Sequence, residues 1–213
     1  MYLEPTDYYQ FPNPLTCSDS IVAVGGNLSP GMLISAYKQG IFPWYNSEDP
    51  ILWQSPDPRF VLLPQNLHIS SSMKKVLRQN IFEIRYDYDF RAVIKGCQGI
   101  KRPGQDGTWI TGDMLSAYCK LHDLGFAHCA AAYQNDNLCG GCYGVILGKV
   151  FFGESMFTWK ANASKASFLS WAQKLFASGI AFIDCQVHTD HLESLGACEV
   201  SKPDFLKMLK AQL

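Results

Sequence analysis

Three polar side chains sit in stretches otherwise made of strand-forming residues. Ile183-Asp-Cys-Gln186 places Asp184 and Gln186 two residues apart in a strand predicted over 180–187, so both project to one face and Cys185 to the other. Phe152-Gly-Glu-Ser-Met156 places Glu154 in a second predicted strand, near 149–157, with Met156 on its face and Phe151, Gly153 and Ser155 opposite. A carboxylate beside a carboxamide can orient a polar substrate group, although a neutral carboxamide is too weak a base to keep a proton. From the residues alone, finishing a sheet edge accounts for Asp184 and Gln186 equally well, and Glu154 reads also as a partly exposed strand glutamate.

Other chemistry-bearing residues carry weaker signals. Cys139-Gly-Gly-Cys142 is a lone CxxC without a second pair for zinc and without the helix start that redox motifs use. His188-Thr-Asp-His191 has no third convergent ligand, so ordinary surface or hydrogen-bonded histidines are expected, and no metal site. Eight of the 18 Lys and Arg residues lie between Lys74 and Arg102, against three acids, Glu83, Asp87 and Asp89. Lys74 and Arg78, four apart, share a helix face, with Lys75 beside them. Charge counting by itself favours a solvated face there. The net charge of -1 provides no global basic field for nucleic acid.

The elements that must hold these residues follow from pattern. With 47% hydrophobic and 17% charged residues, the chain can bury a large core and has little room for long disorder. Prolines crowd the first sixty positions, which read as loops around one short helix capped by Ser29, begun by Pro30 and ended by Gly40. From about Val61, helices and strands alternate. Ser70 or Ser71 caps a short basic helix, 81–86 is a strand, Asp89 caps a helix through Ile94, and a longer helix runs over 112–124. Strands near 126–133, 138–147 and 149–157 are joined by hairpin turns at Asn135-Asp-Asn137 and Gly148-Lys149. Asn162 caps a helix to about Ser178, and Pro203 starts a final one. This order predicts an α/β (α+β) fold with a mixed sheet of acyltransferase type, divided into a small N-terminal domain over 1–60 and a larger one over 61–213. The N-terminus lacks a charged-then-apolar signal, no run is long enough to span a bilayer, and the eight scattered cysteines suit a reducing cytoplasm.

Several stretches together resemble one family. Phe11-Pro-Asn-Pro14, Val24-Gly-Gly-Asn-Leu-Ser-Pro30, Ala36 through Trp44 and Trp53-Gln-Ser-Pro-Asp-Pro-Arg59 look like the N-terminal half of the leucyl/phenylalanyl-tRNA–protein transferases. Thr108-Trp-Ile110, Gly140 through Val145, Phe152 through Phe157, Asn162-Ala-Ser-Lys165, Ile183 through Gln186 and Ser194-Leu-Gly-Ala197 follow in the family's order. The resemblance covers nearly the whole chain. It implies a GNAT-like C-terminal domain and transfer of Leu, Phe or, less well, Met from aminoacyl-tRNA to proteins beginning with Arg or Lys. The product is an N-terminal degradation signal. It further implies a cytoplasmic monomer that uses no metal and no coenzyme.

The same resemblance makes Asp184 and Gln186 the catalytic pair and brings Glu154 into the active site. It assigns Tyr37, Trp44, Trp109, Cys142 and Phe151 to the amino-acid pocket or the stack on the terminal adenosine, although read singly each is better explained as a core residue. Cys142 stands where relatives carry the bulkier Met, which implies a wider pocket favouring Phe. With an RNA substrate implied, Lys74, Lys75 and Arg78 become the expected phosphate contacts. Ser71, Ala131 and Asn27 depart from the family's usual Arg, Glu and Asp. Two rivals are a coenzyme-A-dependent N-acetyltransferase and a non-catalytic tRNA-binding protein. The first needs a glycine-rich pyrophosphate cradle, absent from Met156-Phe-Thr-Trp-Lys160 ahead of the 162–178 helix. The intact set of Asp184, Gln186 and Glu154 argues against the second.

Overall fold

A computed structural model describes residues 1–100 and 110–213. The first sixty residues contain more than loops and a helix. Strands β1 (Ile21–Val24), β2 (Phe42–Pro43) and β3 (Leu52–Gln54) form a small antiparallel sheet in the order β1-β3-β2 around α1 (Pro30–Lys38). Strands of two to four residues are too short for alternation to register in sequence. Pro43 is accommodated because β2 is an edge, where a missing N–H costs few ladder bonds. Ser29 occupies the N-cap position of α1 but makes no cap bond; its Oγ accepts the Leu3 N–H at 3.1 Å. The chain start is thus laid across the helix, and α1 is buried from Pro30 to Tyr37 rather than along one stripe.

Next come β4 (Arg59–Leu62), α2 (Ser71–Arg78), β5 (Glu83–Tyr86), α3 (Phe90–Gly99) and α4 (Gly112–Asp123). Then follow β6 (Ala127–Gln134), β7 (Asn137–Leu147), β8 (Val150–Thr158), α5 (Ala163–Ala177), β9 (Phe182–Gln186), α6 (Asp190–Glu193), β10 (Cys198–Val200) and α7 (Lys202–Lys210). One seven-stranded sheet has the order β10-β4-β9-β8-β7-β6-β5. Every neighbour is antiparallel except β8 and β9, which makes the sheet mixed, as the element order predicts. Asn135 and Asp136 both have positive φ, 51° and 58°, the backbone of the tight hairpin turn read between β6 and β7. Asp89 does cap α3, but that helix runs on to Gly99, because Val93, Ile94 and Cys97 continue its buried face. Strands β4 and β10 and helix α6 escape the sequence reading, each having only three or four residues.

One face of the sheet packs on α1, α3 and α4 through Phe152, Phe157, Tyr143 and Tyr118; the other packs on α2 and α5 through Phe151, Cys142, Phe168 and Trp171. Among the described residues no helix is long and apolar enough to cross a membrane.

The pairing of β7 with β8 contains a bulge. Tyr143 faces Ser155 and Gly144 faces Gly153, leaving Glu154 as the extra residue. Side-chain parity therefore reverses at Glu154. Phe151 and Met156 lie on the α5 face and Phe152 and Phe157 on the other, so the strict alternation that separates Met156 from Phe151 is corrected. A Cβ on Gly144 would fall 2.1 Å from the Phe152 carbonyl oxygen and 2.5 Å from the Phe151 ring. Gly144→Ala is expected to destabilise the fold by about 1–3 kcal/mol, the cost of overpacking, and to lower Tm by roughly 2–12 °C. An unchanged Tm by calorimetry would show that the strands beside Glu154 yield without cost.

Candidate active site

Strands β8 and β9 pair only from Val150–Phe182 to Phe152–Asp184. Beyond that they part, and a cavity of about 320 Å³ opens between Gly153–Met156 on one strand and Cys185–Gln186 on the other. Trp44 beside β2, Cys142 and Phe151 from the sheet, Phe168 from α5 and Leu192 from α6 make most of its wall apolar. Burial pushes the Cys142 and Cys185 thiols up, so both are neutral wall atoms rather than nucleophiles.

Glu154 is the acidic side chain of this wall. Its Oε1 accepts the Tyr37 hydroxyl at 2.6 Å and the Gln186 amide Nε2 at 3.0 Å, while Oε2 accepts the Tyr118 hydroxyl at 3.0 Å. The two tyrosine hydroxyls also touch each other. Burial raises the glutamate to about 7 against the pull of these three donors, and the Asp184 charge adds to the rise. Burial first, and then the Glu154 charge, hold both phenols well above their ordinary value, so near neutrality they remain donors. A carboxylate only accepts, so Gln186 must offer it the amide NH₂, which leaves the amide carbonyl oxygen as an acceptor elsewhere.

Asp184 faces away from the cavity. It forms a fully buried, two-pronged ion pair with Arg59, Nε to Oδ1 at 2.8 Å and the second guanidinium nitrogen to Oδ2 at 2.6 Å. Its link to the cavity is main-chain: Oδ1 accepts the Gln186 N–H at 2.9 Å. Opposite β4, Phe60 pairs with Gln186 and Val61 with Asp184, so Cys185 is a bulge, and Gln186 has a left-handed φ of 66°. The expectation that Asp184 and Gln186 share one face is thereby corrected. Bulge and turn bring Cys185 and Gln186 to the cavity and leave Asp184 behind.

Of the residues expected in the pocket, Trp44, Cys142 and Phe151 line it. Tyr37 does not; it is wholly buried behind Glu154, because the helix that carries it is enclosed on all sides. Trp109 lies outside the described residues. Lys74, Lys75 and Arg78 are exposed on α2, which packs on α5 and adds Met73 to the cluster behind the cavity wall. Arg85, in the same basic stretch, is tied to Glu83 and Asp136. Cys139 and Cys142 are both free and pack in different clusters, so the CxxC does not converge. His188 meets Glu193 at 3.1 Å on the surface with Asp190 alongside, while His191 turns to the cavity wall, where burial holds it below its ordinary value. Sequence reading misses Tyr118, Phe168 and the role of Arg59. Tyr118 and Phe168 sit among ordinary apolar helix positions, and only the Pro-Arg step inside the Trp53–Arg59 stretch marked Arg59.

The family model described as leucyl/phenylalanyl-tRNA protein transferase matches residues 61–210, and that of the same family's N-terminal domain matches residues 26–57. Over 200 residues the chain is 50% identical to the leucyl/phenylalanyl-tRNA–protein transferase of Myxococcus xanthus, covering 93% of this chain and 86% of that one. Over 212 residues it is 46% identical to that of Flavobacterium johnsoniae, covering 100% of both. Among solved structures it is similar to L-PGS from Bacillus licheniformis at 11% identity and a TM-score of 0.39, over 70% of this chain and 48% of that one, a likeness too slight to argue from. Matched along nearly its whole length by family models and by relatives of about half-identical sequence, this chain belongs to the leucyl/phenylalanyl-tRNA–protein transferase family.

Proposed function

We propose that this aminoacyltransferase moves Leu, Phe or Met from its tRNA onto proteins whose first residue is Arg or Lys, and that the product is an N-terminal degradation signal. The observation that carries the reading is the contact of Gln186 with Glu154 at the edge of a mostly apolar cavity. The cavity takes the esterified side chain. Because a hydrophobic hollow separates side chains differing by one methylene by only about 1–3 kcal/mol, it accepts several apolar residues. The acceptor's α-amine, with an ordinary pKa of about 7.7–8.0, is already partly neutral near pH 7. The amine nitrogen attacks the ester carbonyl carbon, the bond to the ribose oxygen breaks, and one proton moves from nitrogen to that oxygen. A neighbouring ribose hydroxyl is the route we assign to the proton.

Gln186 in this scheme receives an N–H of the incoming amine on its carbonyl oxygen, and ionised Glu154 keeps the amide turned that way. The carboxylate also stabilises the positive charge that develops on nitrogen. Asp184, both of whose oxygens are taken, acts through the Gln186 backbone. To the exposed cations of α2 this scheme assigns the tRNA phosphates. A cytoplasmic location suits eight cysteines that form no disulfide.

The direct test is label transfer from Phe-tRNA to an Arg-initiated peptide. Transfer is expected, and an Asp-initiated control should stay unlabelled; a labelled control would overturn the acceptor assignment. Activity should need the Glu154 carboxylate, so kcat/KM should fall as pH drops through about 7. Tyr118→Phe removes a donor that lowers the glutamate's pKa. That variant should move the acid limb to higher pH by roughly half to one unit, the equivalent of one hydrogen bond. The peptide's own amine titrates identically in both profiles, so a limb that stays put would exclude Glu154 as its source. Replacing Lys74, Lys75 and Arg78 together by Ala should raise KM for Leu-tRNA and Phe-tRNA by the same factor and flatten the salt dependence. An effect confined to one amino acid would place these cations elsewhere in the mechanism.

A further inference from the structure

We infer that Arg59 is a positioning residue of the transfer reaction, setting Gln186 and Glu154 in register with one another. The inference rests on the transferase reading above. Arg59 is fully buried, its guanidinium held between the Phe42 ring at 4.7 Å and the Phe205 ring at 4.5 Å. Two of its nitrogens grip Asp184, whose Oδ1 also holds the N–H of Gln186. The third donates to the Gly40 carbonyl at 3.2 Å, and the Gly40 N–H in turn donates to the Tyr37 carbonyl at 3.0 Å. Tyr37 is a principal donor to Glu154. One planar fork therefore ties the strand end that carries the amide to the helix end that carries the donor for the carboxylate.

Stability alone does not explain this choice. A buried ion pair roughly breaks even with a well-packed apolar group of the same volume. Three acceptors on two separate segments, however, need the fixed geometry of a guanidinium, which an ammonium does not have. Gln186 also needs outside help to hold its backbone: a left-handed φ is uncommon for a residue with a side chain.

The test compares wild type, Arg59→Lys and the milder Phe205→Leu, which trims one ring from the guanidinium and leaves the ion pair. Each is assayed with Phe-tRNA and an Arg-initiated peptide at a temperature where circular dichroism shows it folded. Arg59→Lys should lose about 10- to 100-fold in kcat, as expected for a misplaced reacting group, with KM for Phe-tRNA within about twofold because the cavity wall and the α2 cations are untouched. Phe205→Leu should lose a few-fold in kcat with the same KM, and it decides the matter alone if Arg59→Lys does not fold. A folded Arg59→Lys with wild-type kcat, or a Phe205→Leu whose only change is a lower Tm, would overturn the inference and leave Arg59 a structural residue. Wild-type chain that transfers nothing would instead overturn the reaction assigned to the site.

Discussion

The parallel pairing of β8 with β9 ends after Phe152 and Asp184, and the rest of the site depends on that stop. Where two strands part, their facing backbone groups lose their ladder partners and a hollow opens between them. Each strand then carries an irregularity just past the fork: a bulge at Glu154 in β8, and in β9 a bulge at Cys185 followed by the left-handed Gln186. These irregularities re-aim the side chains that a regular pleat would send elsewhere. The hollow acquires a carboxylate and a carboxamide in contact, with apolar walls supplied by Phe151, Phe168 and Cys142.

Two carboxylates lie close together here, and they are satisfied in opposite ways. Asp184 receives a guanidinium, a full countercharge with two parallel hydrogen bonds, in a place closed to solvent. Among the described residues, Glu154 receives neutral donors, two phenols and an amide. Neutral donors offset desolvation incompletely, so burial still pushes Glu154 up to about 7 beside the cavity. Asp184 is therefore an ion-paired anchor, and Glu154 is the carboxylate that burial raises toward the range where an α-amine begins to lose its proton.

Much of the larger sheet was legible in the sequence. The β6–β7 turn announced itself in Asn135-Asp136, the apolar alternation of β7 and β8 fell between plain turn residues, α5 carried a recognisable start and stop, and Pro203 marked the start of α7. The N-terminal sheet was not legible, because its strands are too short and too rich in proline and aromatic residues to show a period. At the candidate site, Trp44, Cys142 and Phe151 line the cavity, whereas Tyr37 and Tyr118 stand behind Glu154 as its hydrogen-bond donors, a position that no local pattern signals.

The sequence by itself determined the family, and with it which segments are candidates for the chemistry. Those are properties of local pattern and residue type: strand periodicity around Glu154 and Asp184, caps, turns, and a set of motifs in one order. Tertiary structure alone decided which polar groups meet. Tyr37 lies 117 residues from Glu154 in the chain, Tyr118 lies 36 away, and Arg59 lies 125 from Asp184. Contacts over such separations leave no periodic trace. Bulges and a single positive φ, moreover, reverse side-chain parity without changing the residues that display it, so an alternation rule names the right residues and points them the wrong way.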